Sequence, residues 1–245
     1  MSLIQSLLLP AVILVAAVLY SSVGHGGASA YLAVMSLVGL APGVMRPVAL
    51  VLNLVVAAIA AFRFARAGHF RLRLFWPFAA ASIPFAFLGG SITLPDVVYR
   101  RVLGLVLLFA AYRLWRVFRG GEEKLHTPPL AAALFWGAAI GMLSGLTGVG
   151  GGIFLSPLLL LAHWAEPKPT AAVSAAFIWV NSFAGLLGKP ASLAALPAGI
   201  ALWAAAAAAG GIVGAGLGSR RLPSLVLRRL LALVLVVAGG KLLLG

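Results

Sequence analysis

Two glycine-rich strings hold the residues best suited to chemistry: Gly24-His25-Gly26-Gly27 and Gly148-Val149-Gly150-Gly151-Gly152. Glycine tolerates positive φ and lets a backbone come close to a ligand. A short apolar segment follows each string. A helix that starts at such a break presents unpaired N–H groups and a partial positive charge, which suits an anion. Thr147 adds a hydroxyl beside the second break. His25 sits inside the first. As an ionisable group among apolar residues it is a candidate to hold an oxyanion when charged, or to carry a proton. The alternative is a neutral imidazole bonded to a loop carbonyl. Val149 occupies the matching place in the second string.

Asn53 and Asn181 complete the candidate set. Each stands in an apolar helix that follows a Pro-containing loop, Ala41-Pro42-Gly43 and Glu166-Pro167-Lys168-Pro169 respectively. A side-chain amide there can meet a substrate oxygen or tie broken backbone. Ser21, Ser22, Ser29, Ser144, Thr147, Ser174 and Ser182 are weaker candidates, because most intramembrane hydroxyls bond back to their own helix. Trp179 faces either a cavity or its packed surroundings. Arg46 and Lys189, beside the Asn helices, form either a cationic vestibule or topology anchors. There is no Cys, and four acidic residues are too few for a carboxylate cage. No metal or other cofactor is expected.

The elements that must position these residues are membrane helices. Of 245 residues 63% are hydrophobic and 9% charged, against roughly 25% charged in soluble domains. The net charge of +14 comes in short clusters between apolar runs, which is a membrane-loop pattern and not a nucleic-acid surface. Apolar runs lie near 3–22, 28–40, 44–65, 72–92, 97–118, 130–146, 153–164, 169–188, 192–218 and 222–244. The N-terminal run lacks a basic n-region and is expected to be retained in the membrane. Most runs reach the roughly 20 residues needed to cross. The runs at 28–40 and 153–164 are too short, and each follows one of the glycine breaks. The Gly210-Gly211, Gly214, Gly216, Gly218 series is read as helix packing.

Break, short run, Pro loop and Asn helix recur in both halves. We therefore expect an all-α polytopic membrane protein of two inverted repeats. Each has a Gly-broken short helix pair and three transmembrane helices. The repeats span 1–120 and 127–245, joined by a cytoplasmic linker at 121–126. With both termini outside, the inner loops hold Arg63, Arg66, Arg71, Arg73, Arg113, Arg116, Arg119, Lys124, Lys168, Arg220, Arg221, Arg228 and Arg229. That is 13 of the 18 Lys and Arg residues. Arg46, Arg100, Arg101, Lys189 and Lys241 remain outside. The bias fits the positive-inside rule.

The strings Ser-Ser-Val-Gly-His-Gly-Gly-Ala-Ser-Ala (21–30) and Arg-Pro-Val-Ala-Leu-Val-Leu-Asn (46–53) resemble the TauE/SafE family of sulfite exporters. So do Ser-Gly-Leu-Thr-Gly-Val-Gly-Gly-Gly-Ile (144–153) and the stretch 170–188, Thr-Ala-Ala-Val-Ser-Ala-Ala-Phe-Ile-Trp-Val-Asn-Ser-Phe-Ala-Gly-Leu-Leu-Gly. The resemblance covers nearly the whole chain. It implies a multi-pass inner-membrane protein that moves sulfite, sulfoacetate or related organosulfonates. The first repeat departs from the family pattern. It has His25 and Ala28 where many members run Gly-Gly-Gly, and it lacks the Pro seen in the second repeat as Pro157.

The expected function is therefore secondary transport, most simply export, of a small inorganic or organosulfonate anion by alternating access. The anion would bind between the two breaks. No P-loop string occurs, so a P-loop ATPase in this chain is not expected. The expected partners are that anion and the lipid bilayer, with no nucleic acid; a homo-oligomer stays open. A passive anion channel is the nearest alternative. An intramembrane serine protease using Ser29 in Gly27-Ala28-Ser29-Ala30 is a further one, with His163 as a distant base. The place of His163 beside Trp164 and a Pro loop argues against it.

Overall fold

A computed structural model describes residues 3–115, 125–219 and 225–244. Among the described residues, ten α-helices run in order: α1 (Leu3–Ser21), α2 (Ala28–Leu37), α3 (Pro42–Arg66), α4 (Leu72–Ser91), α5 (Asp96–Trp115), α6 (Leu130–Thr147), α7 (Gly152–Leu161), α8 (Pro167–Leu187), α9 (Ile200–Gly218) and α10 (Leu225–Leu244). Of the expected linker, 121–124 lies outside the described residues, as do Arg116, Arg119, Lys124, Arg220 and Arg221. The side chains of Arg113, Arg228 and Arg229 do too. The expected run at 192–218 is broken. A 3₁₀ helix occupies Pro190–Ala195 and α9 begins only at Ile200. Pro190 and Pro197 each lack the N–H a continuous helix would need.

Among the described residues, α3, α4, α6, α8 and α9 are long and apolar enough to cross a membrane. Their outward faces carry large apolar side chains, among them Phe62, Phe85, Phe87, Phe135, Trp136, Leu202 and Val213. Water would not tolerate so much contiguous exposed apolar surface. The two short helices have ten residues each, about 15 Å against a hydrocarbon core of roughly 30 Å. Both start at a glycine in the left-handed conformation, Gly27 (φ 96°) and Gly151 (φ 84°). The long central helices start with proline at Pro42 and Pro167, where the missing N–H costs no hydrogen bond.

At the centre lies the pair α3 and α8. Of their most apolar windows, 50% and 72% respectively are buried, against 33–39% for α4, α6 and α9. Glycine stripes pull the flanking helices together. Gly137, Gly141 and Gly145 of α6 meet the backbone of Phe78, Ser82 and Ala86 of α4. Gly210, Gly214 and Gly218 of α9 meet Leu14 and Val18 of α1 and Ser22 just beyond it. This is small-xxx-small packing, as expected for the α9 series. Both pairs advance in the same direction. The central pair is opposed: Phe64 clusters with Ala171, Ala60 with Ala175, and Leu50 lies near Gly185. α5 and α10 also run oppositely, since Gly104 meets Leu243 and Gly239 while Leu108 meets Gly239.

The packing pairs up between the halves. The contact of α4 with α6 corresponds to that of α9 with α1, and α4 with α8 to α9 with α3. α7 packs on α8 as α2 packs on α3.

Candidate functional site

The two breaks converge on one point of the central pair. Asn53 is fully buried near the middle of α3. Its Nδ2 donates to the Val149 carbonyl of the second break at 3.3 Å. A Cβ built on Gly26, in the first break, would overlap Asn53 Oδ1 and come within 3.1 Å of Ile178 Cγ2. One built on Gly150 would lie 2.6 Å from Asn53 Nδ2, 2.8 Å from Ile178 Cγ2 and 3.3 Å from Ser182 Oγ. Gly26 and Gly150 thus flank the same Asn53, with Ile178 and Ser182 of α8 closing the cluster. A side chain larger than hydrogen at either glycine would push the breaks apart.

The remaining glycines shape the breaks. Gly24, Gly148 and Gly150 have φ of 76°, 81° and 83°, a region that L side chains enter only at a cost. Gly24 lies against the backbone of Ala171 in α8, and Gly148 against the stem and backbone of Arg46. Gly27 abuts the Tyr31 hydroxyl, Gly151 the Phe177 ring, and Gly152 the Ile178 side chain. Neither short helix has a side-chain cap, and the first four N–H groups of a helix have no partner within it. The chain therefore sets two uncapped helix starts, with their N–H groups and partial positive charge, beside one buried asparagine.

Among the described residues, polar atoms without partners recur on α3 and α8. Asn53 Oδ1, Ser182 Oγ and both amide atoms of Asn181 are buried and accept or donate no hydrogen bond. Leaving such a group unmade costs about 1–3 kcal/mol. Asn181 adjoins Ser182 on α8 and is fully buried. Ser144 Oγ and Tyr31 Oη are also unpaired.

His25 reaches across the halves. Its Nδ1 lies 3.0 Å from the Val23 carbonyl, its Nε2 3.2 Å from Ser156 Oγ, and Ser156 Oγ 2.8 Å from Ser174 Oγ. A carbonyl only accepts, so Nδ1 carries the proton. In the neutral ring Nε2 then accepts from Ser156, which accepts from Ser174. The expected loop-carbonyl bond is present, and a second one joins the first break to α7 and α8. Tyr20 packs edge-on to the ring at 6.2 Å and receives the Ser29 hydroxyl at 2.7 Å.

Other expected residues bond within the protein. The Thr147 hydroxyl bonds back to Leu143 O at 2.7 Å, while its carbonyl accepts from Tyr99 Oη at 3.0 Å. Ser21 and Ser22 likewise bond into their own helix. Trp179 is exposed and stacks on Phe183 at 6.0 Å. Arg46 donates to the carbonyls of Gly89, Gly90 and Ile92 and so caps the end of α4. Ser29, the nucleophile of the protease alternative, gives its hydroxyl to Tyr20. Ile178 and Ser156 were not legible as site residues from the sequence. The one available signal for Ser156 was a lone hydroxyl beside Pro157 in an otherwise apolar short helix.

Residues 9–242 match the family described as "Sulfite exporter TauE/SafE". The chain belongs to the TauE/SafE family. It is 45% identical over 233 residues to "Probable membrane transporter protein y4hK" of Sinorhizobium fredii (strain NBRC 101917 / NGR234), covering 94% of each chain. No solved structure matches the chain. As a TauE/SafE member built of long apolar helices, it is a multi-pass membrane protein and a membrane transporter.

Proposed function

We propose that the chain is a secondary transporter that exports a small sulfur-containing anion across the inner membrane, such as sulfite or the organosulfonate sulfoacetate. Alternating access of two inverted repeats, 1–120 and 127–245, moves the anion. It binds between the Gly24–Gly27 and Gly148–Gly152 breaks, held by backbone N–H groups with Asn53, Asn181 and His25. One observation carries this reading: two uncapped helix starts meet at Asn53 while both polar atoms of buried Asn181 have no partner. Donors without acceptors in an apolar interior are what a desolvated oxyanion requires.

The opposed run of α3 against α8 and of α5 against α10 supports an inverted relation between the halves. The like direction of α4 with α6 and of α1 with α9 adds the twofold character of the pairing. The close fit of Gly26 and Gly150 around Asn53 corresponds to a closed junction. The anion enters when the halves separate. The sulfite in the family's name supports a sulfur oxyanion.

The test is counterflow in proteoliposomes. Uptake of labelled sulfite or sulfoacetate should saturate, and the same anion loaded inside should accelerate it. Flux that never saturates and ignores the internal anion would favour the channel.

A further inference from the structure

The positive-inside rule depletes outer loops of Lys and Arg, so the cations that persist there call for a cause. In the proposed topology they are Arg46, Arg100, Arg101, Lys189 and Lys241. Four of them line two neighbouring cavities. Arg46 and Lys189 border one of about 100 Å³, with Thr93, Asp96 and Ser192. Arg100 and Lys241 border the other, of about 130 Å³. Each exceeds the roughly 30 Å³ share of a single water. Pro42 and Tyr99 line both. Among the described residues, Asp96 is the one acidic residue lining either.

Among the described residues, Arg46, Lys189 and Lys241 direct their hydrogen bonds to carbonyls and a hydroxyl and not to carboxylates. Lys189 Nζ donates to Thr93 Oγ1 at 2.6 Å. Lys241 Nζ donates at 3.1 Å to the carbonyls of Ser36 and Leu37, and Arg46 donates to carbonyls of α4 and the residue after it. Carbonyls and a hydroxyl fix these three side chains in place and carry no full negative charge. A cleft with low-dielectric walls then focuses that field. The cavities also abut the second break. The Tyr99 hydroxyl holds the Thr147 carbonyl at 3.0 Å, and Gly148 lies on Arg46.

We propose that this end of the molecule is an anion-binding vestibule. A small oxyanion or sulfonate pauses among Arg46, Arg100, Lys189 and Lys241, on the far side of Tyr99 from the glycine junction. Its role as the outer mouth of a transport path rests on the function proposed above; its capture of anions does not.

The absence of Cys allows a test that needs no flux. A single thiol, Ser192→Cys or, where an added Cβ meets nothing within 4 Å, Gly43→Cys, is placed in the first cavity. Two methanethiosulfonates label it, one bearing a sulfonate and the other a trimethylammonium group. The sulfonate-to-ammonium rate ratio should exceed that of free cysteine by about tenfold. Adding Lys189→Gln and Arg100→Gln should lower it, and sulfoacetate should slow the sulfonate reagent. A free-thiol ratio at both positions, or one untouched by the glutamines, overturns the vestibule. Parallel flux assays separate the two claims. A charge-selective cavity on a chain that moves no oxyanion sinks the transport reading alone. Oxyanion flux with a free-thiol ratio sinks the vestibule alone.

Discussion

Gly26→Ala tests the junction most economically. Gly26 lies outside the left-handed region, so alanine avoids that backbone penalty and the main cost is steric. The new Cβ would overlap Asn53 Oδ1 and sit 2.9 Å from Asn53 Cγ and 3.1 Å from Ile178 Cγ2. Asn53 must swing aside and lose its bond to the Val149 carbonyl. Overpacking a filled interior costs about 1–3 kcal/mol, and the lost hydrogen bond adds about 0.5–1.5 kcal/mol. The sum, about 1.5–4.5 kcal/mol, lowers the unfolding midpoint by about 3 °C or more in a chain of this size. Gly240→Ala is the control. Nothing lies within 4 Å of its Cβ, and alanine in a helix interior is better than glycine by about 0.5–1 kcal/mol. Gly24→Ala should be the worst of the three, because it meets immobile Ala171 backbone at a φ of 76°. The assay is thermal unfolding in detergent, followed by far-UV circular dichroism. A Gly26→Ala midpoint within about 1 °C of the parent, or one above that of Gly240→Ala, would refute a closed junction at Asn53.

Asn181→Ala should lower transport severalfold without lowering the melting temperature, since it removes two buried atoms that bond to nothing; a lowered melting temperature with unchanged flux would make Asn181 structural. A double-mutant cycle of His25→Ala with Ser156→Ala, read by thermal stability, should show coupling of about 0.5–1.5 kcal/mol, and strict additivity would dissolve the link between the halves. Gly214→Leu should prevent α1 from seating on α9, because even a Cβ there overlaps the Val18 carbonyl; a folded protein at normal yield would contradict that packing. A cysteine at Glu122 should react with impermeant reagents only from the cytoplasmic face. Labelling from the outer face would reverse the proposed topology.

Much of the architecture was legible because lipid imposes simple rules. Helix spans follow from runs of apolar residues, and the two breaks announced themselves as glycine strings before segments too short to cross. Asn53 stood out as a polar residue in an apolar run, and the structure sets it against both breaks. What stayed hidden was lateral. The pairing of His25 with Ser156 joins residues 131 apart, and no local period encodes it. A lone serine in an apolar helix reads as self-bonded, as Ser21 and Ser22 are. Arg46 read as a vestibule or an anchor, yet its guanidinium also closes the end of α4. Carbonyls released by a helix end 43 residues away leave no mark in sequence. The stop at Pro190 and Pro197 was available from proline chemistry and was overridden by the apolar character of the run.

The central claim is that an oxyanion sits where the two short helices begin. Selenite, the heavier analogue of sulfite, scatters anomalously and can report its own place in crystals of the protein. The account predicts a selenium peak between the Gly26–Ser29 and Gly150–Ile153 amides, beside Asn53 and Asn181, and its loss in Asn181→Ala. Selenium found only among Arg46, Lys189 and their neighbours, with the glycine junction empty at saturating selenite, would contradict it.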